Sequence, residues 1–248
     1  GIRKTHHEFG GRATSGGVFC GGCESDDDEK GHGTHCASIA AGAKFGVAKK
    51  ATLIAVRVLD ANGEGTTSDV INGLSFVLDQ HNNAINKNSV VSMSLGGKKS
   101  DALNNAVKAL TDAGVHVVVA AGNKADDACQ TSPASELSAI TVGATEDEND
   151  HITRFSNFGK CVDIYAPGRH VEGAGIENDD ATSIKSGTSQ ATPHVAGTLA
   201  LIIAQSGNES PAQMAVALDN LSTKGTIVFD DPQANATSKN SFLRVPAP

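Results

Sequence analysis

Short apolar runs alternate with amphipathic segments along most of the chain, and this alternation limits its fold more than any other feature. Five runs are rich in β-branched residues and have the length of buried strands: residues 51–59, 90–95, 115–123, 139–144 and 161–167. Segments between and after them space their apolar residues as helices do: 67–81, 100–114, the stretch that follows Ser189, and 211–221. Ser100 is a predicted N-cap, and Gly114 follows the last turn of that helix. The alternation predicts βαβ units and a three-layer α/β fold, with helices on both faces of a mainly parallel sheet.

Composition narrows the function classes. No linker-like stretch or repeat divides the 248 residues, so we expect one domain over 1–248. The net charge is −8 and the sequence has no basic cluster, which argues against nucleic acid as a partner. The longest uncharged apolar runs have about half of the ~20 residues that a membrane span needs. We expect a monomer that binds neither nucleic acid nor membrane.

Cysteines and glycosylation sequons bear on the compartment. The chain has five cysteines, so at least one of them cannot form a disulfide within the chain. Cys20 and Cys23 form a CGGC motif, for which redox chemistry and half of a zinc site are alternatives, although a second CxxC is lacking. N-x-S/T sequons begin at Asn208, Asn220 and Asn235, which favours a secreted protein in an oxidising compartment.

Three polar residues stand where α/β sheets collect reactive groups, at strand ends and helix starts. His32 lies between two glycines in GHGTHC, and a neutral imidazole there can exchange a proton with a hydroxyl; a surface turn or a metal ligand are the alternatives. Asn123 ends the strand VVVAAGN, where its amide can donate into a cleft or simply occupy a turn. Ser189 opens an apolar helix, where a hydroxyl serves either as an N-cap or as a nucleophile close to free N–H groups.

Taken together, these contexts resemble the subtilisin-like serine proteases, in particular the proteinase K branch. The matching segments follow the family's order over nearly the whole chain: GHGTHCAS, GVAKKATLIAVRVLDANGEG, SMSLGG, VVVAAGN, SPASE, FSNFGKCVDIYAPG and SGTSQATPHVAG. The resemblance implies a secreted or vacuolar endopeptidase of broad specificity that acts on polypeptides without a catalytic cofactor. Ser189 would be the nucleophile and His32 the general base, and Asn123 with the N–H of Ser189 would form the oxyanion hole. An N-terminal propeptide or a protein inhibitor would be a further partner.

The resemblance also assigns a substrate cleft and structural features. Two edge strands would flank an extended peptide: Gly63, Glu64 and Gly65, and Ser94, Leu95 and Gly96. Small residues would line the pocket for an apolar or aromatic side chain before the cut bond: Ala120, Ala121 and Gly122. Cys129 and Cys161 would form a disulfide, and Cys36 would be a free thiol near His32. Asp163, with the carbonyls of Leu137 and Ala139, would bind a structural calcium ion.

The chain departs from the family pattern at the third member of the catalytic triad, the Asp that orients the His. The pattern would place this Asp two positions before Gly1, in a central strand that the sequence as printed does not include. Asp26, Asp27 and Asp28 precede His32 too closely to match it, and the sequence favours a solvated loop for them. The alternative is a catalytically inactive module that binds extended peptides. A nucleotide-binding α/β protein is disfavoured because no GxGxxG or P-loop motif follows a strand.

Overall fold

The computed structural model describes residues 1–146 and 150–247. In chain order its elements are β1 (Ala13–Val18), α1 (His32–Ala41), β2 (Leu53–Arg57), α2 (Thr67–Asn83), β3 (Val90–Met93), β4 (Gly97–Lys98), α3 (Asp101–Asp112), β5 (His116–Ala120), β6 (Thr131–Ser132), β7 (Ile140–Thr145), β8 (Ile164–Pro167), β9 (Val171–Ala174), β10 (Thr182–Lys185), α4 (Thr188–Ser206), α5 (Pro211–Leu221), β11 (Thr223–Lys224), α6 (Pro232–Thr237) and β12 (Ser241–Phe242). The predicted helices and strands are confirmed, with boundaries shifted by a few residues.

A mainly parallel sheet of six strands forms the centre of the molecule, in the order β11-β12-β8-β7-β5-β3. Adjacent strands from β12 to β3 run parallel, and only β11 pairs antiparallel with its neighbour within this sheet. Because their carboxyl ends meet at one edge, the segments that follow β3, β5 and β7 are brought close together.

The two faces of the sheet carry different helices, as the three-layer prediction requires. Val118 of β5 packs with Val195 and Leu199 of α4 in one buried cluster. Its neighbours Val117 and Val119 belong to a second cluster with residues of α2 and α3. Successive strand side chains point to opposite faces, so an all-apolar strand such as β5 needs cover on both sides. Fully burying each Val or Leu contributes roughly 1.5–3 kcal/mol.

Local signals set the helix ends as expected. The Ser100 side chain accepts a hydrogen bond from Leu103 N at 3.3 Å, and Gly114 follows α3 with φ +97°. A reciprocal pair of side-chain bonds between Thr66 and Asp69 caps α2. Across the residues described, no helix is both long and apolar enough to cross a bilayer.

The strand predicted at residues 51–59 forms as β2, but it lies outside the six-stranded sheet. It pairs in parallel with β1, with Ala13 opposite Leu53, in a separate sheet of two strands. The sequence analysis did not predict β1, because glycines at 16 and 17 weaken the strand signal. The glycine at 16 suits this close pairing, since a Cβ there would lie 2.6 Å from Ala55 O.

Candidate active site

The first residues of α1 and α4 lie close to each other at the carboxyl edge of the sheet. His32 is the first residue of α1, Ser189 is the second residue of α4, and these helices pack together. Cys36, one turn after His32, connects them: its Sγ lies 3.3 Å from Ser189 O and 3.9 Å from His32 Nε2. The structure therefore brings the predicted base and nucleophile to one place.

Pro193 explains how the start of α4 is anchored. A proline has no N–H, so the carbonyl four residues earlier, that of Ser189, loses its usual helical donor. The Ser94 hydroxyl donates to this carbonyl at 2.7 Å, and the Cys36 thiol donates to it at 3.3 Å. The Ser189 hydroxyl in turn donates a hydrogen bond to Ser94 O at 3.3 Å. Among the residues described, this hydroxyl makes no hydrogen bond to His32. The bonds tie Ser189 to the end of β3 and to α1.

Asn123 is held through its amide oxygen, and Nδ2 donates no hydrogen bond within residues 1–146 and 150–247. Its Oδ1 accepts two hydrogen bonds from Thr188, from the backbone N–H at 2.8 Å and from the hydroxyl at 2.9 Å. The amide oxygen is therefore turned toward the first residue of α4, and Nδ2 remains as a donor. Nδ2 would lie 3.5 Å from a Cβ on Gly187, the residue that precedes this helix. The sequence analysis missed Thr188, which is fully buried and whose hydroxyl also accepts Gly122 N at 3.2 Å.

Burial controls the protonation of the groups around Ser189. It lowers the pKa of His32, although the negative charge of Asp28 opposes that shift, so the imidazole is neutral at neutral pH. Burial raises the pKa of the Cys36 thiol to about 11, which keeps this free cysteine protonated. A neutral imidazole can accept a proton from a hydroxyl. The free thiol near His32 that the resemblance implies is confirmed.

The interpretation of residues 26–28 as a solvated loop is wrong for two of its three aspartates. Asp26 is buried and binds Lys4. Asp28 is half-buried, with Oδ1 accepting the N–H groups of Lys30 and Gly31 and Oδ2 accepting Thr34 N at 2.8 Å. Burial would raise the pKa of Asp28, but hydrogen bonds from Thr34 and its neighbours hold that pKa below the ordinary value. Asp28 thus caps the helix that starts at His32, a role that a run of three acidic residues does not reveal.

The two segments expected to flank the substrate are not assigned as strands, and their role as edge strands stays a prediction. Gly63, with φ +81°, ends a turn that Gly63 N closes by donating to Asp60 O at 3.0 Å, and Asp60 N donates to Glu64 O at 2.8 Å; residues 64–65 follow this turn without assigned secondary structure. Residues 94–96 connect β3 to β4. Ser94 nevertheless contacts Ser189 directly, while the exposed Gly63 turn lies beside the Lys30 side chain. The predicted pocket residues 120–122 follow one another at the end of β5; Ala120 and Ala121 are buried.

Two disulfides are present. Cys129 pairs with Cys161, as the resemblance implies, and Cys20 pairs with Cys23, so the two CGGC thiols form a disulfide here and are not half of a zinc site. Cys20 is buried, and its Sγ lies 3.4 Å from Leu59 O, beside the turn at residues 60–64.

The predicted calcium ligands lie at the start of β7 and just before β8. Asp163 Oδ2 accepts Thr141 N at 2.9 Å, and burial raises the pKa of this carboxyl to about 6. Leu137 is exposed and Ala139 is buried on the segment that leads into Thr141. Asp163 also lines a pocket of about 190 Å³ with Asp219 and Lys239. Among the described residues, no cluster of three or more His, Cys, Asp or Glu side chains could hold a metal ion. One carboxylate with carbonyls and water suits Ca²⁺, which prefers oxygen ligands.

Comparisons with known proteins agree with the fold and the motifs. A model of the Subtilase family matches residues 21–239. Subtilisin-like protease 1 of Pseudogymnoascus destructans is 49% identical over 235 residues, which are 95% of this chain and 57% of that protein. Subtilisin-like serine protease Pen ch 18 of Penicillium rubens is 44% identical over 242 residues, which are 92% of this chain and 49% of that protein. The chain thus spans about half the length of the curated relatives it matches. The crystal structure of a cold adapted subtilisin-like serine proteinase aligns with a TM-score of 0.91 at 40% identity, covering 100% of this chain and 86% of that one.

Proposed function

This chain belongs to the subtilase family, and on that premise we propose that it is a serine endopeptidase in which Ser189 attacks the carbonyl carbon of a peptide bond. The Ser189 hydroxyl turns from Ser94 O to His32 and gives its proton to the neutral imidazole as the Oγ–C bond forms. The protonated His32 then gives the proton to the leaving amine as the C–N bond breaks. Water attacks the acyl-enzyme in the same way and restores both residues.

One observation carries this assignment: the orientation of the Asn123 amide. Because Thr188 occupies Oδ1 from two directions, the Nδ2 donor is available at the start of α4, where Ser189 lies. An oxyanion that develops on the substrate carbonyl would accept from Nδ2 and from the N–H of Ser189, near the positive end of the helix dipole. Losing one such donor costs roughly 10²–10³-fold in kcat, a magnitude measured in subtilisin itself.

The carboxylate that orients His32 is proposed to precede Gly1. Gly1 is adjacent to the base: its carbonyl oxygen lies 2.2 Å from the place where a Cβ on Gly33 would stand, so this neighbour of His32 must be a glycine. Asp28 is a poor substitute, since its two oxygens already accept backbone N–H groups of the α1 cap. β2 and β3, each at the edge of its sheet, offer places where a further strand could pair.

We propose that extended peptides of broad sequence bind beside residues 94–96 and 63–65, with an apolar or aromatic side chain before the cut bond. The small residues Ala120, Ala121 and Gly122 support this breadth, because no large or charged side chain would restrict a pocket there. Two disulfides and exposed sequons at Asn220 and Asn235 support a secreted or vacuolar location. The sequon at Asn208 is a poorer candidate for glycosylation, since its amide accepts a hydrogen bond from His116 Nε2 and donates one to Lys87 O.

A fluorophosphonate probe tests the proposal in the full protein isolated from its source. We expect one adduct on Ser189, hydrolysis of a fluorogenic peptide, and loss of both in a Ser189→Ala variant. If the folded protein is not labelled but still binds the extended peptide, the endopeptidase proposal is wrong and the protein is a catalytically inactive peptide-binding module.

A further inference from the structure

Asn157 holds the loop that carries Asn123. It lies on the connection from β7 to β8 and is completely buried. Its Nδ2 donates to Ala121 O at 2.9 Å, and its Oδ1 accepts the N–H groups of Lys124 at 2.9 Å and Asp126 at 3.2 Å. One side chain therefore satisfies backbone groups on both sides of Asn123.

We propose that Asn157 is a positioning residue that acts through Asn123 and keeps the Asn123 amide aimed at the developing oxyanion. The inference rests on the proposed function, because it assigns a role to Asn157 only if Asn123 is an oxyanion donor. It extends that function because the position of the Asn123 amide would depend on Asn157, a residue of a different loop, between β7 and β8.

Asn157 can transmit this precision because its own backbone is fixed to the sheet. Ser156 Oγ accepts Ala144 N of β7 at 3.0 Å and donates to Asn157 O at 2.9 Å. Asn157 N donates to Gly122 O at 2.9 Å. The hydrogen bonds thus run from the rigid core strand through Ser156 and Asn157 to the residue next to Asn123.

Thr188 fixes the Asn123 side chain and Gly122 N, but the main chain after Asn123 depends on Asn157 and on a few backbone bonds. Residues 123–126 are exposed, and Ala125 has φ +52°, a conformation that side chains other than glycine rarely adopt. Backbone bonds to Phe155 O and from Phe158 N support its far end, at Ala125 and Asp126. If the amide of Asn157 is removed, water can satisfy the two N–H groups it accepted, and the loop gains freedom at Asn123. The variant then loses stability as well as the position of Asn123, and kcat of the folded variant reports the loss of position.

The close approach of Asn157 also accounts for Gly122. A Cβ on Gly122 would lie 2.4 Å from Asn157 Nδ2, and the φ of +105° at this glycine suits the turn that the hydrogen bonds impose. The two residues form a matched pair: the amide requires the space that the glycine leaves open.

A double-mutant cycle on peptide hydrolysis tests the inference. We expect Asn157→Ser to lower kcat by roughly 10–10²-fold, the cost of a misplaced catalytic group, while KM stays within about two-fold. Asn123→Ala should lower kcat by roughly 10²–10³-fold. If Asn157 acts through Asn123, adding Asn157→Ser to Asn123→Ala should lower kcat by no more than about a further two-fold.

Asn240→Ser is the matched control. Asn240 makes the same kind of amide contacts, accepting Ile227 N at 3.0 Å and donating to Ile227 O at 2.8 Å, on a different part of the chain. Its replacement should lower the thermal midpoint without changing kcat. If Asn157→Ser proves unfolded, Asn157→Asp is the second variant: it keeps the shape and one acceptor oxygen but turns a carboxylate oxygen toward Ala121 O, which weakens the hold on the loop, and its loss of kcat should likewise vanish in the Asn123→Ala background.

The outcomes separate the inference from the proposed function. An equal fold-loss of kcat in both backgrounds, or a rise in KM at unchanged kcat, would overturn the positioning role while the oxyanion role of Asn123 stands. A wild-type kcat in Asn123→Ala would overturn that oxyanion role, and the positioning role with it.

Discussion

Gly122→Ala is the substitution whose cost the structure defines most directly. The backbone at this position has φ +105°, where an L-residue is strained by roughly 1–2 kcal/mol. The added methyl would also lie 2.4 Å from Asn157 Nδ2, so the buried amide must move. Its three side-chain hydrogen bonds to the loop are each worth about 0.5–1.5 kcal/mol. We therefore expect a loss of about 3–6 kcal/mol in the free energy of unfolding.

Gly207→Ala separates backbone strain from the clash. Gly207 caps the end of α4 with φ +90°, and a Cβ there would have no atom within 4 Å. This variant should lose only the strain, roughly 1–2 kcal/mol. Both should be measured by denaturant unfolding in a Ser189→Ala background, so that self-digestion does not distort the curves. Equal losses in the two variants would show that Asn157 yields freely to the methyl, and the argument from the close approach would then be wrong.

Three further predictions concern the site and its supports. Because burial lowers the pKa of His32 in the chain as described, an NMR titration of these 248 residues should place that pKa below 6.5, whereas the carboxylate proposed to precede Gly1 should raise it in the full protein; a pKa above 6.5 in the 248-residue chain contradicts this. The disulfide between Cys129 and Cys161 closes a loop of 32 residues and so lowers the entropy of the unfolded chain. A Cys129→Ser/Cys161→Ser variant should therefore lose roughly 3–4 kcal/mol of unfolding free energy. An unchanged denaturation midpoint would refute this estimate. Gln190, which is buried directly after Ser189, has no thioether to oxidise, so we expect Gln190→Met to make the activity more sensitive to peroxide; equal inactivation rates for the two proteins would refute it.

The candidate residues were predictable because their signals are local. His32 lies between glycines, Asn123 ends an apolar strand and Ser189 opens a helix, and each pattern is written in a few consecutive residues. The parallel sheet was predictable for the same reason, since β-branched runs and helical spacing recur within short windows. The supporting groups carry no such mark. Asp28 looks like part of an acidic loop, and Asn157 lies between Ser156 and Phe158 with nothing in its neighbours to indicate three contacts elsewhere.

The sequence by itself determined most strands and helices of the central layers, their order and the candidate reactive side chains, because hydrophobic period, caps and motifs act over a few residues. Only the tertiary structure decided which strands share a sheet, how Asn123 is turned by Thr188, and how Pro193 leaves the Ser189 carbonyl to Ser94 and Cys36. The physical reason is that buried polar groups must find partners wherever the packed chain brings them. Those partners are 33 to 153 residues away along the sequence, so spacing alone could not identify them.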